Sequence, residues 1–124
     1  MLAADTSSLI AYLAGDTGVD ASQIERALDT AELVLPPVVV TELLSDAKNR
    51  NILAPQITDC SMLEILPGYW ERAGAMRAVL LAKRLTAKIP DTLIAQSCID
   101  HNVALITRDG DFRHFVKHCG LKLA

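Results

Sequence analysis

No apolar run in this sequence approaches the roughly 20 residues that a membrane-spanning helix needs. The longest, around Val38 to Val40 and Val79 to Ala82, stop far short, so no membrane association is expected. Met1 to Ala14 carry no basic leader and are interrupted by Asp5, so they do not read as a signal peptide, and a cytoplasmic location is expected. Cysteine is sparse: Cys60, Cys98 and Cys119 are odd in number and form no CxxC pair, which argues against a disulfide framework or a redox motif and predicts buried, reduced thiols. Aromatic residues make up only 4% of the chain. With Tyr12, Tyr69, Trp70, Phe112 and Phe115 alone, base stacking cannot be the main source of any nucleic-acid affinity, and Phe112 is expected in the core. Internal repeats and low-complexity linkers are absent as well.

What is present is enough apolar material for one core: 51% of 124 residues are hydrophobic, which predicts a single domain over residues 1–124. The net charge of -3 hides a polarity, with 3 Lys/Arg against 10 Asp/Glu in residues 1–69 and 9 against 5 in residues 70–124. A nucleic-acid-handling protein would turn the basic half toward phosphates, although solvated helix faces give the same statistics.

Strand and helix signals alternate along the chain. Met1 to Asp5 reads as a short buried strand stopping at a carboxylate, followed by a helix from Thr6-Ser7-Ser8 through Leu13. Ile24, Ala27, Leu28 and Ala31 mark a second helix over Ala21 to Ala31, and Leu33 to Leu35 a strand. Pro36-Pro37 precedes Val38-Val39-Val40, whose β-branching favours a strand while Glu42, Leu43, Leu44 and Ala47 look helical; the expectation is a helix carrying Glu42. Asn49 to Ser61 reads as a loop with at most a short helix, and Met62 to Leu66 as a strand. Tyr69 to Leu85 should form the longest helix. Ile89-Pro90-Asp91 opens another that Asn102 closes, Val103 to Ile106 is a buried strand, Phe112 to Val116 a short helix, and Leu121 to Leu123 a last strand. This order predicts an α/β fold, a mainly parallel sheet covered on both faces.

Two of these strands run into acids, Asp5 and Asp109, where the strand ends, and ligands of open α/β sheets bind outside those carboxyl ends. Asp91 opens a helix and Glu42 lies in the first turns of another, so both can reach the same rim. Four carboxylates so placed repel one another, and a divalent cation is the usual reason such a cluster is tolerated. Oxygen-only ligands suit Mg²⁺ or Mn²⁺ and point to phosphoryl chemistry. Asp5, Asp91 and Asp109 are the expected metal ligands, and Glu42 ligates directly or through water. Thr6 and Thr107 are expected to orient carboxylates or waters with their hydroxyls. Arg108, adjoining Asp109, is the candidate contact to a nucleic-acid backbone; Arg72, Arg77, Lys83, Arg84 and Lys88, on or just past one long helix, could share that role but read first as solvated helix charges. The plainer alternatives are that Asp5 and Asp91 merely cap helices, that Asp109 and Asp111 merely make an Asx turn, and that Glu42 is a solvated helix residue.

Ala4-Asp5-Thr6-Ser7, Val40-Thr41-Glu42-Leu43, Pro90-Asp91-Thr92-Leu93-Ile94-Ala95 and Leu105 to Phe112 together resemble, in order and at domain-filling spacing, the four signature segments of PIN domains, most closely the toxin ribonucleases of VapBC type. The resemblance implies a three-layer α/β/α sandwich and Mg²⁺- or Mn²⁺-dependent endoribonuclease activity on RNA. It also implies a VapB-like antitoxin partner that blocks the site, and a homodimer. Asp5, Glu42, Asp91 and Asp109 match the family's acidic quartet, and Asp111 an additional acid two positions on.

Three other readings compete. A phosphoacceptor receiver domain would need paired acids after the first strand and a lysine near the last, and neither stands here. A zinc site could be assembled from Cys98, His101, His114, His118 and Cys119, but their spacing fits no familiar pattern. A PIN-like module that binds nucleic acid or protein without cutting predicts a missing carboxylate, and none is missing.

Overall fold

Leu33, Val34 and Leu35 are buried without exception, and a strand buried at successive residues must be covered on both faces, as parallel sheets are. In the computed structural model, which describes all 124 residues, they form β2 (Leu33–Leu35), flanked by β1 (Leu2–Ala4) and β3 (Ser61–Met62). With β4 (Ala104–Ile106) these make one four-stranded parallel sheet of order β3-β2-β1-β4, in which Ala3 pairs with Val34 on one side and Leu105 on the other. Between the strands run α1 (Thr6–Leu13), α2 (Val19–Asp29), α3 (Pro37–Leu44), α4 (Arg50–Thr58), α5 (Tyr69–Ala82) and α6 (Ile89–His101), and α7 (Arg113–Cys119) follows β4.

The connections decide where a site can form. From β1 to β2 to β3 the chain steps outward in one direction; from β3 to β4 it returns past β1 to the other edge. Right-handed crossovers put α1 to α4 on one face and α5 and α6 on the other, which makes the expected three layers. The reversal falls between β1 and β4, and the crevice beyond their carboxyl ends is the switch point where ligands of such sheets bind.

The ambiguous valines resolve as a helix because burial outweighs local propensity. Val39 and Leu43, four residues apart, are both at most 2% exposed while Thr41 between them is exposed, a pattern the helical period allows and the strand period does not, and each stabilises the fold by about 2 kcal/mol. Here α3 ends at Leu44, short of Ala47, where the Ser45 hydroxyl donates back to the Thr41 carbonyl at 2.6 Å. The α6 boundaries follow expectation: Pro90 occupies the first turn and Asn102 closes the helix in a left-handed conformation with φ 52°.

Three expectations require revision. Asn49 to Ser61, expected as a loop with at most a short helix, is mostly helical: it contains α4, nine residues long with Pro55 inside it. Its i, i+4 pair Leu53 and Ile57 packs on the core, and that burial outweighs the backbone hydrogen bond Pro55 cannot donate. Leu121 to Leu123 does not become a strand; it keeps a single parallel bridge, Leu105 to Leu123. The strand expected at Met62 to Leu66 shrinks to Ser61–Met62, the exposed edge of the sheet.

Candidate active site

The side chain that ends β1 is also the one that starts α1. Asp5, 3% exposed, caps the helix by accepting from the Ser8 N–H at 2.9 Å through Oδ1. Its Oδ2 accepts from the Ser7 hydroxyl at 2.9 Å and from Thr107 Oγ1 at 2.6 Å. Thr107 follows β4, and its hydroxyl oxygen accepts from the Asp109 N–H at 3.0 Å while donating to Asp5. One hydroxyl thus ties the ends of two neighbouring strands together and aims the loop that carries Asp109. Asp109 Oδ1 accepts from the Asp111 N–H at 2.8 Å, the Asx-turn geometry expected of an Asp-Gly pair. Beneath that loop Phe112 and Phe115, at most 1% exposed, stand 6.1 Å apart and anchor it to the core.

On the opposite wall, Thr6 Oγ1 donates to Glu42 Oε1 at 2.7 Å, joining α1 to α3. Asp91 projects from the first turn of α6. Asp5, Thr6, Ser7, Ile10, Glu42, Asp91, Ile94 and Asp109 line one cavity of about 280 Å³. All four expected acids therefore meet in one place; the capping role of Asp5 and the turn role of Asp109 coexist with that convergence, whereas Asp91 makes no cap, α6 having no side-chain cap bond. A smaller cavity of about 50 Å³ beside Leu9, Leu35 and Leu53 is almost wholly apolar and carries no chemistry.

The tightest group differs from the one expected. Asp91, Asp109 and Asp111 each offer a carboxylate oxygen within 4.8 Å of the others, so Asp111, expected only as an additional acid, joins the close triad, while Asp5 lines the cavity outside it. Burial, then the charges of Asp109 and Asp111, push the Asp91 carboxyl up to about 6, and the charge of Lys88 offsets only part of this. Such a half-buried set of carboxylates, with oxygen donors alone, fits a hard divalent cation.

Arg108 takes an unexpected place. Side chains alternate along this segment, so Thr107 and Asp109 turn toward the cavity and Arg108 turns away. Its Nε and Nη2 donate to the two oxygens of Asp20 at 2.7 and 3.2 Å, and Nη1 lies 3.4 Å from Asp16. That guanidinium holds the Asp20 carboxyl down to about 2. The cations beside the acids are instead Lys88, which read first as a solvated charge, and Arg113, which no local signal singles out, 3.5 and 3.9 Å from Asp111. The zinc alternative finds no support, because the aspartate triad is the one group of potential ligands within reach of a common ion. Cys98 is 1% exposed and burial pushes its thiol up to about 12, while the His101 ring bonds the Glu64 carbonyl at 2.8 Å.

Comparison with known proteins agrees with this geometry. The PIN domain family model matches residues 3–117. Among solved structures, VapBC2 from Rickettsia felis, bound to a DNA fragment from their promoter, superposes with a TM-score of 0.77 at 19% identity, covering 99% of this chain and 96% of that one. A toxin-antitoxin complex from Klebsiella pneumoniae superposes with a TM-score of 0.72 at 21% identity, covering 98% and 95%. At these identities the likeness is one of fold. No curated protein sequence gives a significant match.

Proposed function

We propose that this chain, which belongs to the PIN domain family, is an endoribonuclease dependent on Mg²⁺ or Mn²⁺ and the toxin half of a toxin-antitoxin pair. The observation that carries this reading is the convergence of Asp5, Glu42, Asp91 and Asp109 in one cavity at the β1/β4 switch point, with Asp111 within ligand reach of two of them. Asp5, Asp91 and Asp109 would hold the cation with Asp111 beside them, and Glu42 would ligate directly or through water. Once bound, the cation would supply an activated water and charge stabilisation for in-line displacement at an RNA phosphodiester. The chain's own part is orientation. Thr107 fixes the Asp5 carboxylate, Thr6 fixes that of Glu42, and the Asp109 side chain is locked by its turn.

Inhibition by an antitoxin has a physical route. Ile10, on the cavity wall, also lines an open trough with Leu13, Ile52 and Leu53, and Ile10 and Ile52 are 47% and 65% exposed. An apolar segment of a VapB-like partner lying there would bury this surface and cover the acids. The family also leads us to propose that residues 1–124 act as a single domain, as a homodimer, in the cytoplasm.

The test is cleavage of a mixed single-stranded RNA pool by purified chain freed of any antitoxin, with Mg²⁺ or Mn²⁺, against EDTA and an Asp91→Asn control. Metal-dependent cutting that the variant loses supports the assignment. A folded chain that cuts nothing across metals and RNA types would favour the non-catalytic binding module instead.

A further inference from the structure

The fold sorts the nine Lys and Arg of residues 70–124 into those that are occupied and those that are not. Arg72 donates to both oxygens of Asp100 at 3.0 and 2.6 Å and Arg77 to the Ala87 carbonyl at 2.7 Å. Arg108 belongs to Asp20, and Lys122 donates to Asn102 at 3.1 Å. Lys83, Arg84 and Lys117 meet no partner, and Lys88 and Arg113 meet Asp111 beside the acid cavity, Arg113 Nη1 also donating to the Gly110 carbonyl at 2.8 Å; all five are exposed.

The remaining five are neighbours in space. Lys83 and Arg84 directly follow α5, Lys88 precedes α6 three residues before Asp91, and Arg113 and Lys117 lie one turn apart on α7, which packs against α5. The His118 ring reports how close the band is: partial desolvation and the charges of Lys83, Lys117 and His114 push its imidazole below the ordinary value. Positive charge thus begins at the rim of the acid cavity and continues over α7 to the end of α5. With Arg113 and Lys117 about 6 Å apart along the helix axis, the spacing is on the scale of one nucleotide of extended strand.

We propose that this band is the track along which single-stranded RNA leaves the acid cavity, Lys88 and Arg113 taking the phosphate nearest the cut and Lys117 and Lys83 those beyond it. The proposal rests on the nuclease reading of the cavity. It makes binding depend on charge rather than on bases, as a chain poor in aromatic residues requires, and so sensitive to salt.

Fluorescence anisotropy of a fluorescein-labelled single-stranded RNA of mixed sequence tests it. The full chain is used in an Asp91→Asn background with Mn²⁺, so that the strand is bound without being cut, while the chain without that substitution is assayed for cleavage. Changing Lys83, Lys88, Arg113 and Lys117 together to Gln should raise Kd at least about tenfold. The slope of log K against log salt should fall by about 3, from about 0.7 for each lost contact. A control changing Arg26, Lys48 and Arg50 to Gln should leave both unchanged. If the unsubstituted chain cuts RNA but the fourfold variant keeps Kd and slope, the track is wrong and the nuclease reading stands. A chain that neither binds nor cuts RNA overturns both, and tighter binding of duplex DNA through the same four residues overturns the assignment to a single strand.

Discussion

Asp20 and Asp91 flank the same loop, Thr107 to Asp111, and their environments move them in opposite directions. Asp20 faces the guanidinium of Arg108 and is held at about 2; Asp91 faces Asp109 and Asp111 in partial burial and is raised to about 6. The chain supplies its own cation on one flank, where the acid joins the start of α2 to the loop. On the other it supplies only the exposed Lys88 and Arg113, both at Asp111, and the ionised Asp91 costs stability until something positive arrives. A single alternation of side chains across Thr107, Arg108 and Asp109 separates the two, so the ion pair on one flank braces the loop that carries repelling acids on the other.

The largest expected effect comes from removing the strained charge. Asp91→Asn should lower metal-dependent RNA cutting at least about 100-fold. The same change should raise the metal-free Tm by a few degrees, about 1 kcal/mol once solvent screening is allowed for. Lost cutting with a lowered Tm would mean that Asp91 is mainly structural. Asp111→Asn tests membership of the close triad. Calorimetric titration should find Mn²⁺ binding weakened roughly tenfold, and unchanged binding would return Asp111 to a turn residue. Arg108→Gln breaks the other flank and strands the buried Asp20 carboxylate, and thermal melts should fall by roughly 5 °C; an unchanged Tm would show that the pair is not a brace.

The smallest effect is one of pH, and its two windows have opposite signs. As pH falls from 7 through about 6 toward 3.8, the metal-free chain should gain stability, because Asp91 binds its proton more readily folded than unfolded. Below 3.8 stability should be lost as pH falls toward about 2, because Asp20 must give up its favourable ionised state. Asp91→Asn should remove the first slope and Arg108→Gln should weaken the second, both measurable by melts across pH. Mn²⁺ binding should weaken below about pH 6, where Asp91 takes up a proton.

Much of this was legible from residue order. Ala4-Asp5 and Ile106-Thr107 announce strand ends meeting polar side chains, Pro90 and Asn102 bracket α6, and Asp5, Asp91 and Asp109 were each readable near an element boundary, while Glu42 lies within α3. The middle of the chain was not. In Asn49 to Ser61 the helix is held by Leu53 and Ile57 against a core assembled from distant residues, and no local signal outweighs Pro55. Arg108 was misread for a related reason: adjacency to Asp109 suggested a shared face, whereas in extended backbone neighbouring side chains point apart.

By itself the sequence determined the alternation of strand and helix, the placing of acids at strand ends and helix starts, and the charge split between its halves, because each follows from local periodicity and capping chemistry. Tertiary structure alone decided which acids approach within 4.8 Å, which arginine is consumed by an ion pair away from them, and which lysine stands beside the cavity. Those outcomes depend on distances between segments up to a hundred residues apart, set by strand order and helix packing rather than by neighbours along the chain.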